Sequence, residues 1–216
     1  MFIEMLDVLR CVNSHEDTWL VASLKAISNR FVLDGTLGCP VCHAEYSIKK
    51  GVADFRQAGD SAAALSDRPP DRETREELAT RLGAFLNATE PGATIVLGGR
   101  WADAARELST MTESRVLVLN PRPSVEESET VGLLLVSSEI PLAPGSVQGV
   151  AVDESFAVEI LASVVRVLRP GGRVVGPVAA EPPAELALLA RDDINWVAEK
   201  AAEMIPLRRA EAAPLS

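Results

Sequence analysis

Two cysteines separated by two residues, Cys39-Pro40-Val41-Cys42, constrain this chain more than any other feature. A C-x-x-C pair closes a tight knuckle that presents two thiolates to one ion, and a tetrahedral site needs two more ligands. Upstream, Cys11-Val12-Asn13-Ser14-His15 brings a thiolate and an imidazole close together. The pattern C-x3-H, a long gap, then C-x2-C fits a four-ligand structural zinc site made of Cys11, His15, Cys39 and Cys42. Soft sulfur with one imidazole suits zinc better than magnesium or calcium. The gap from Glu16 to Gly38 is long enough for a hairpin, and Trp19-Leu20-Val21-Ala22 and Arg30-Phe31-Val32-Leu33 read as strands.

Other chemistries share parts of this pattern. Cys39-Pro40-Val41-Cys42-His43 matches the C-x-x-C-H haem attachment signature, but that reading leaves Cys11 and His15 without a role. A redox C-x-x-C opens a helix after a strand, whereas Ala44-Glu45-Tyr46-Ser47-Ile48 alternates like a strand. His43 is an alternative to His15 as fourth ligand. Its neighbour Cys42 is already a ligand, and one knuckle rarely donates both, which favours His15.

The chain has 216 residues and its three cysteines and two histidines all fall within the first 56. Residues 57–70, QAGDSAAALSDRPP, are small and polar and end in Pro-Pro, as a linker does. The expected organisation is a metal module over 1–56, a linker over 57–70 and a second domain over 71–216. The first part carries six Lys/Arg against seven Asp/Glu, and the remainder fifteen against twenty-four. An acidic body of this kind repels phosphate backbones, so bulk charge gives no route to nucleic acid. The N-terminus has no basic lead and no apolar run of signal-peptide length. Apolar runs such as Val131 to Val136 are too short to span a bilayer. The expectation is a cytoplasmic protein with no membrane partner, in which reducing conditions disfavour disulfides.

Beyond the linker, strand and helix patterns alternate. Asp71 to Ala88 reads as an amphipathic helix with Leu78, Leu82, Phe85 and Leu86 on one face. Strands are expected at Ala93–Leu97, Val116–Leu119, Val131–Val136, Val147–Val152 and Arg173–Val178, and helices at Ala102–Met111 and Glu154–Leu168. Pro170-Gly171-Gly172 reads as the cap that stops the second of these helices. The tail from Ala190 to Glu199 reads as a helix start with one packed Trp. This alternation implies an α/β fold, a doubly wound, mainly parallel sheet with helices on both faces, plus the small N-terminal β module. The second domain, with its own alternating core, is expected to stay folded without the metal. It contains no histidine, which removes imidazole acid–base chemistry from it.

Two stretches resemble known families. LDVLRC…GCPVCHAEYSIKKGVADF, within residues 5–55, resembles the Trm112-like zinc-ribbon proteins. There the resemblance implies a module that binds and supports methyltransferase domains. Cys11-Val12-Asn13-Ser14-His15 stands where that family has C-P-x-C, so His becomes the fourth ligand. From about residue 75 to 180 the chain resembles S-adenosylmethionine-dependent methyltransferases of the doubly wound type. Arg166-Val167-Leu168-Arg169-Pro170-Gly171-Gly172-Arg173-Val174-Val175 carries that likeness best, with Ile140 to Val150 beside it. The resemblance implies cofactor contacts at Gly98, Gly99 and Asn120, in a degenerate form. Val96 stands at the acidic position before the turn, Arg100 and Ala102 at glycine positions, Asn120 where the ribose carboxylate belongs, and Val136 or Ser137 near the adenine-side Asp.

With three acidic anchors missing together, S-adenosylmethionine binding is expected to be weakened or lost. The resulting expectation is a non-catalytic, methyltransferase-like protein with structural zinc, acting through protein interaction or scaffolding, with a protein partner or a second copy. The alternative is an active methyltransferase on a small molecule or protein.

Overall fold

A computed structural model describes residues 1–57, 73–156 and 158–202. The linker expected over 57–70 lies, apart from Gln57, outside the described residues. Eleven strands form one sheet in the order β1-β2-β3-β4-β7-β6-β5-β8-β9-β11-β10.

The N-terminal part begins with a 3₁₀ helix, Ile3–Val8, and continues as an antiparallel meander. Its strands are β1 (Val21–Ser28), β2 (Phe31–Gly38), β3 (Glu45–Lys49) and β4 (Val52–Asp54). The β1–β2 connection is Asn29-Arg30, both at positive φ (47° and 68°), the backbone that a two-residue hairpin needs to match strand twist. Lys50-Gly51 closes β3 onto β4 in the same way. The expected hairpin is present, with β1 running on to the turn at Ser28 and β2 running on to Gly38 beside the cysteine knuckle, each longer than the sequence pattern indicated.

The second part supplies β5 (Thr94–Gly98), β6 (Arg115–Leu119), β7 (Val131–Leu135), β8 (Val147–Ala151), β9 (Leu168–Pro177), β10 (Leu186–Arg191) and β11 (Asn195–Lys200). From β5 to β9 all neighbours are parallel. Counting from β5, the order 3-2-1-4-5 is that of a doubly wound Rossmann-type sheet. These strands are apolar on both faces because both faces are covered. On one side lie α1 (Arg75–Phe85) and α2 (Ala105–Thr112), packed on Ile95, Leu97, Val116 and Val118. α1 opens with a capping box between Thr74 and Glu77. On the other side α3 (Val158–Val167) buries Ile160, Leu161, Val164 and Val167 against Val96 and Val150.

Two expectations are corrected. Pro170-Gly171-Gly172 does not cap a helix. It bulges out of β9, between Leu168 paired with Val147 and Arg173 paired with Gly149. The tail around Trp196 is not helical: β10 and β11 form a hairpin whose second strand runs antiparallel to β9. Trp196 is packed, fully buried, with its indole N–H donated to the Ala180 carbonyl at 2.7 Å. Pattern alone misread this segment because its buried side chains come from cross-strand pairing, not from a helical stripe.

The two parts share one core. β4 pairs in parallel with β7 (Val52↔Leu133, Asp54↔Leu135), extending the Rossmann sheet into the meander. Met1, Met5 and Leu9 are buried in the same apolar cluster as Leu117, Leu134 and Val164. A Cβ built on Gly132 of β7 would stand 2.5 Å from the Met5 sulfur, so Gly132 is the seat on which the 3₁₀ helix rests. No helix follows β6 or β7 before the next strand. The N-terminal helix covers the sheet there. The outer edges are irregular: β1 has register shifts around Ala26, and β10 has one between Leu188 and Ala190.

Candidate metal centre and the crevice at the switch point

The metal candidates converge. One ligand atom from each of Cys11, His15, Cys39 and Cys42 lies within 4.8 Å of all the others. Cys11 Sγ is 3.5 Å from Cys42 Sγ, and Cys39 Sγ is 3.3 Å from His15 Nε2. A tetrahedral zinc with Zn–S of ~2.3 Å and Zn–N of ~2.0 Å has ligand–ligand edges of about 3.5–3.8 Å, so these separations suit that ion. His15, and not His43, joins the three sulfurs among the described residues. The group could hold a metal ion.

Local structure positions each ligand. Cys39 to Ala44 links β2 to β3 as a turn, with the Cys39 N–H donating to Ala44 O (2.9 Å) and the His43 N–H to Cys39 O (3.0 Å). His43 sits at φ 60° with an exposed side chain, serving the turn's backbone. The C-x-x-C therefore sits between strands and opens no helix, unlike a redox motif. Cys11 follows a segment anchored to the other part of the chain: Arg10 N–H donates to Pro141 O (2.8 Å) and Ala143 N–H to Val8 O (2.9 Å).

A second layer of groups surrounds the sulfurs. Buried Tyr46 accepts the Val12 N–H at 3.3 Å and places its hydroxyl 3.0 Å from Cys11 Sγ. Its ring packs on Phe55 with centroids 4.6 Å apart. The Asn13 side-chain amide donates to Cys42 Sγ at 3.3 Å. His15 Nδ1 lies 2.6 Å from Glu16 O, and a proton held there leaves Nε2 free to ligate. Burial pushes the Cys11 thiol up to about 11, while the Ala44 backbone N–H and then the Asn13 amide lower Cys42 to about 6. Neither Asn13 nor Tyr46 carries a metal-ligand signature, so sequence reasoning passed over both.

The second candidate region lies at the carboxyl ends of β5 and β8, the topological switch point where doubly wound sheets bind ligands. Of the sequence-derived residues, Gly98 ends β5 there, Gly99 opens the 3₁₀ turn that follows, and Asn120 comes directly after β6. The chain's own side chains occupy this place. A Cβ on Gly98 would fall 2.5 Å from the Phe156 ring, and a Cβ on Gly99, at φ 64°, 2.0 Å from the Asp153 carboxylate. Asp153 Oδ2 accepts the Arg100 backbone N–H at 2.7 Å, and Oδ1 accepts the Ser155 N–H at 3.0 Å and the Ser155 hydroxyl. Arg100 turns inward, with its guanidinium 4.3 Å from the Trp101 ring centroid and donating to Asn195 Oδ1 at 2.9 Å. Arg100, Asp153 and Asn195 are all buried.

Asn120 is also committed. Its Nδ2 donates to Val136 O (3.1 Å) and its Oδ1 accepts the Val136 N–H (2.9 Å), tying the end of β6 to the end of β7. That double bond needs one donor and one acceptor, which an amide has and a carboxylate lacks. Asp153, Ser155, Phe156 and Asn195 escaped the sequence reading because their role depends on β8 pairing with β5 and on Arg100 reaching Asn195 at the start of β11.

No helix among the described residues is long and apolar enough to cross a membrane. No protein-family model matches the chain, and no curated protein matches it. Among solved structures it is similar to a geranyl diphosphate methyltransferase in complex with SAM (22% identity over 53% of this chain and 57% of that one, TM-score 0.39). It is similar to the MycE methyltransferase from the mycinamycin biosynthetic pathway, in complex with Mg, SAH and mycinamycin VI (12%, 64% and 52%, TM-score 0.45). A third is a phosphoethanolamine N-methyltransferase of Haemonchus contortus (16%, 45% and 27%, TM-score 0.39). The chain thus spans 57% of the first of these, 52% of the second and 27% of the third. At such scores strand order and direction carry the assignment, and they define a Rossmann-like doubly wound α/β fold with a Cys/His cluster at its N-terminal end.

Proposed function

We propose that this chain is a non-catalytic, methyltransferase-like protein with a structural, Trm112-like zinc ribbon, working in the cytoplasm through protein interaction or as a scaffold. One observation carries the non-catalytic part: the Phe156 ring lies against Gly98, where a cofactor needs close backbone approach. The bonded amide of Asn120 supports the same reading. The proposed division is a ribbon over 1–56 and a methyltransferase-like part over 71–216, the two sharing a core.

Cys11, His15, Cys39 and Cys42 would hold the zinc. A closed Cys3His set leaves no open position, which is the character of a structural site. The ion supplies a cross-link between the start of the chain and the β2–β3 turn. The residues do the rest: Tyr46 and Asn13 hold the sulfurs by hydrogen bonding, and Glu16 O orients the imidazole. A protein partner or a second copy completes the proposal.

The alternative, an active S-adenosylmethionine-dependent methyltransferase on a small molecule or protein, draws on the glycine turn at the switch point. Calorimetric titration of the purified protein with S-adenosylmethionine separates the two. No binding heat up to millimolar ligand is expected. A micromolar dissociation constant would overturn the proposal and favour the alternative.

A further inference from the structure

Among the described residues, the buried group least explained by ordinary packing is Asp153. It follows the fourth parallel strand by two residues, is 3% exposed, and is held by backbone N–H groups and a hydroxyl. Three donors converge on its two oxygens: the Arg100 N–H from the turn after β5, and the N–H and hydroxyl of Ser155. The turn is shaped around it. Gly99 lies at positive φ, and any Cβ there would sit 2.0 Å from Oδ1. A glycine is required at this point for two reasons, the backbone conformation and the room taken by the carboxylate.

We propose that Asp153 is a tethered ligand: its carboxylate fills an anion position in the switch-point crevice that a small free carboxylate fits. Phe156, three residues on, fills the adjoining space over Gly98, so one short segment supplies both an anion and a ring to the crevice. This inference deepens the non-catalytic reading and rests on it. It names what replaces a ligand and why the backbone donors at the turn are not available to one.

The test uses the intact chain with formate as probe. Asp153→Ala empties the position while leaving the donors, and its thermal midpoint should fall by several degrees. Formate, added until the midpoint stops rising, should return at least half of that loss. Equal sodium chloride should not, and formate should leave the wild type unchanged. If formate moves the variant no more than chloride does, or fails to restore an unfolded variant, the proposal falls. Asp153→Asn decides the matter independently. It has nearly the same shape but one acceptor oxygen, so an amide N–H must face an N–H donor. It should lose stability and gain nothing from formate. Wild-type stability in Asp153→Asn would overturn the proposal. The non-catalytic reading is judged separately, by S-adenosylmethionine titration of the wild type.

Discussion

The cysteine knuckle and the switch-point turn are both places where polar groups from distant strands meet, and they are finished in opposite ways. At the knuckle three sulfurs and an imidazole face one another, with Cys11 Sγ 3.5 Å from Cys42 Sγ and Cys39 Sγ 3.3 Å from His15 Nε2, and Tyr46 and Asn13 add hydrogen bonds from outside the cluster. At the turn the donors already have an acceptor: Asp153 takes the Arg100 N–H and Asn120 is bonded at both ends. Four soft ligand atoms converging at the spacing of a tetrahedral metal site are arranged for an ion that arrives from solution. Groups that satisfy one another internally are arranged for stability. Having a site-like location is therefore less informative than knowing whether the donors and acceptors there cancel.

The largest effect expected from this contrast is loss of the metal. Purified protein should contain one zinc per chain. Cys39→Ser or a strong chelator should cost much of the fold, since structural zinc in small modules contributes about 10–16 kcal/mol of apparent binding free energy. The shared core changes what that loss looks like. Because Met5 and Leu9 are buried with Leu117 and Leu134, and β4 pairs with β7, the Rossmann strands should be destabilised as well. A chelation experiment followed by circular dichroism checks this. Retention of all strand and helix signal from the second part would restore the expectation of independent domains.

Next in size is the seat between the parts. Met5→Ala should cost about 2–5 kcal/mol, the usual range for truncating a fully buried side chain. Gly132→Val should cost roughly 1–3 kcal/mol by overpacking against the Met5 sulfur. Urea titrations of both variants measure these losses, and effects under half a kcal/mol would mean that the 3₁₀ helix is not seated as described.

A smaller effect is expected at Asn120. With Arg100 at a glycine position and Asn120 at the position of the ribose carboxylate, the family resemblance alone implies that Arg100→Gly with Asn120→Asp recovers some cofactor affinity. The geometry predicts the reverse for the second change: a carboxylate there faces the Val136 carbonyl, so Asn120→Asp should cost about 1–3 kcal/mol, with no gain in S-adenosylmethionine binding. Stability and calorimetry on the single variant decide between them.

The smallest effect is electrostatic. Backbone N–H groups of Asn195 and Ile194 hold the Asp192 carboxyl below its ordinary value. A carboxyl lowered on folding adds stability above its unfolded pKa and loses it as pH falls through the folded value. Asp192→Asn should therefore cost a little at pH 7 and next to nothing at pH 2–3, read from unfolding midpoints at the two pH values. An equal loss at both would assign the effect to shape.

How much of this was legible beforehand follows from how local each feature is. Cys11, His15, Cys39 and Cys42 announce themselves through spacing within two short motifs, and the structure gathers them. The parallel strands were readable as apolar runs because they are buried on both faces. β4, only Val52–Asp54, is too short to show a pattern, and its pairing with β7 is a parallel contact between segments about eighty residues apart. That pairing is what joins the ribbon to the sheet. Trp196 and Gly171 were misread for a related reason: a Trp in a charged run and a Pro-Gly-Gly after a helix have strong local readings, and cross-strand pairing overrode both. Asp153 gave no signal, since an Asp after a strand is an ordinary turn residue until its partner turn is known.

The two irregular edges of the sheet have a consequence of their own. An open sheet ends in rows of unpaired N–H and C=O groups, and a straight edge strand is a template on which further chains can add. Here β1 loses register around Ala26, and β10 between Leu188 and Ala190, so neither edge offers an unbroken ladder along its length. A neighbouring strand laid along either edge would match on one side of the bulge and fall out of step on the other. Leu188 and Leu189, each about half exposed, sit at that break on β10. The bulges thus act as stops on sheet growth, at the two places where a long sheet with apolar edge residues would otherwise polymerise.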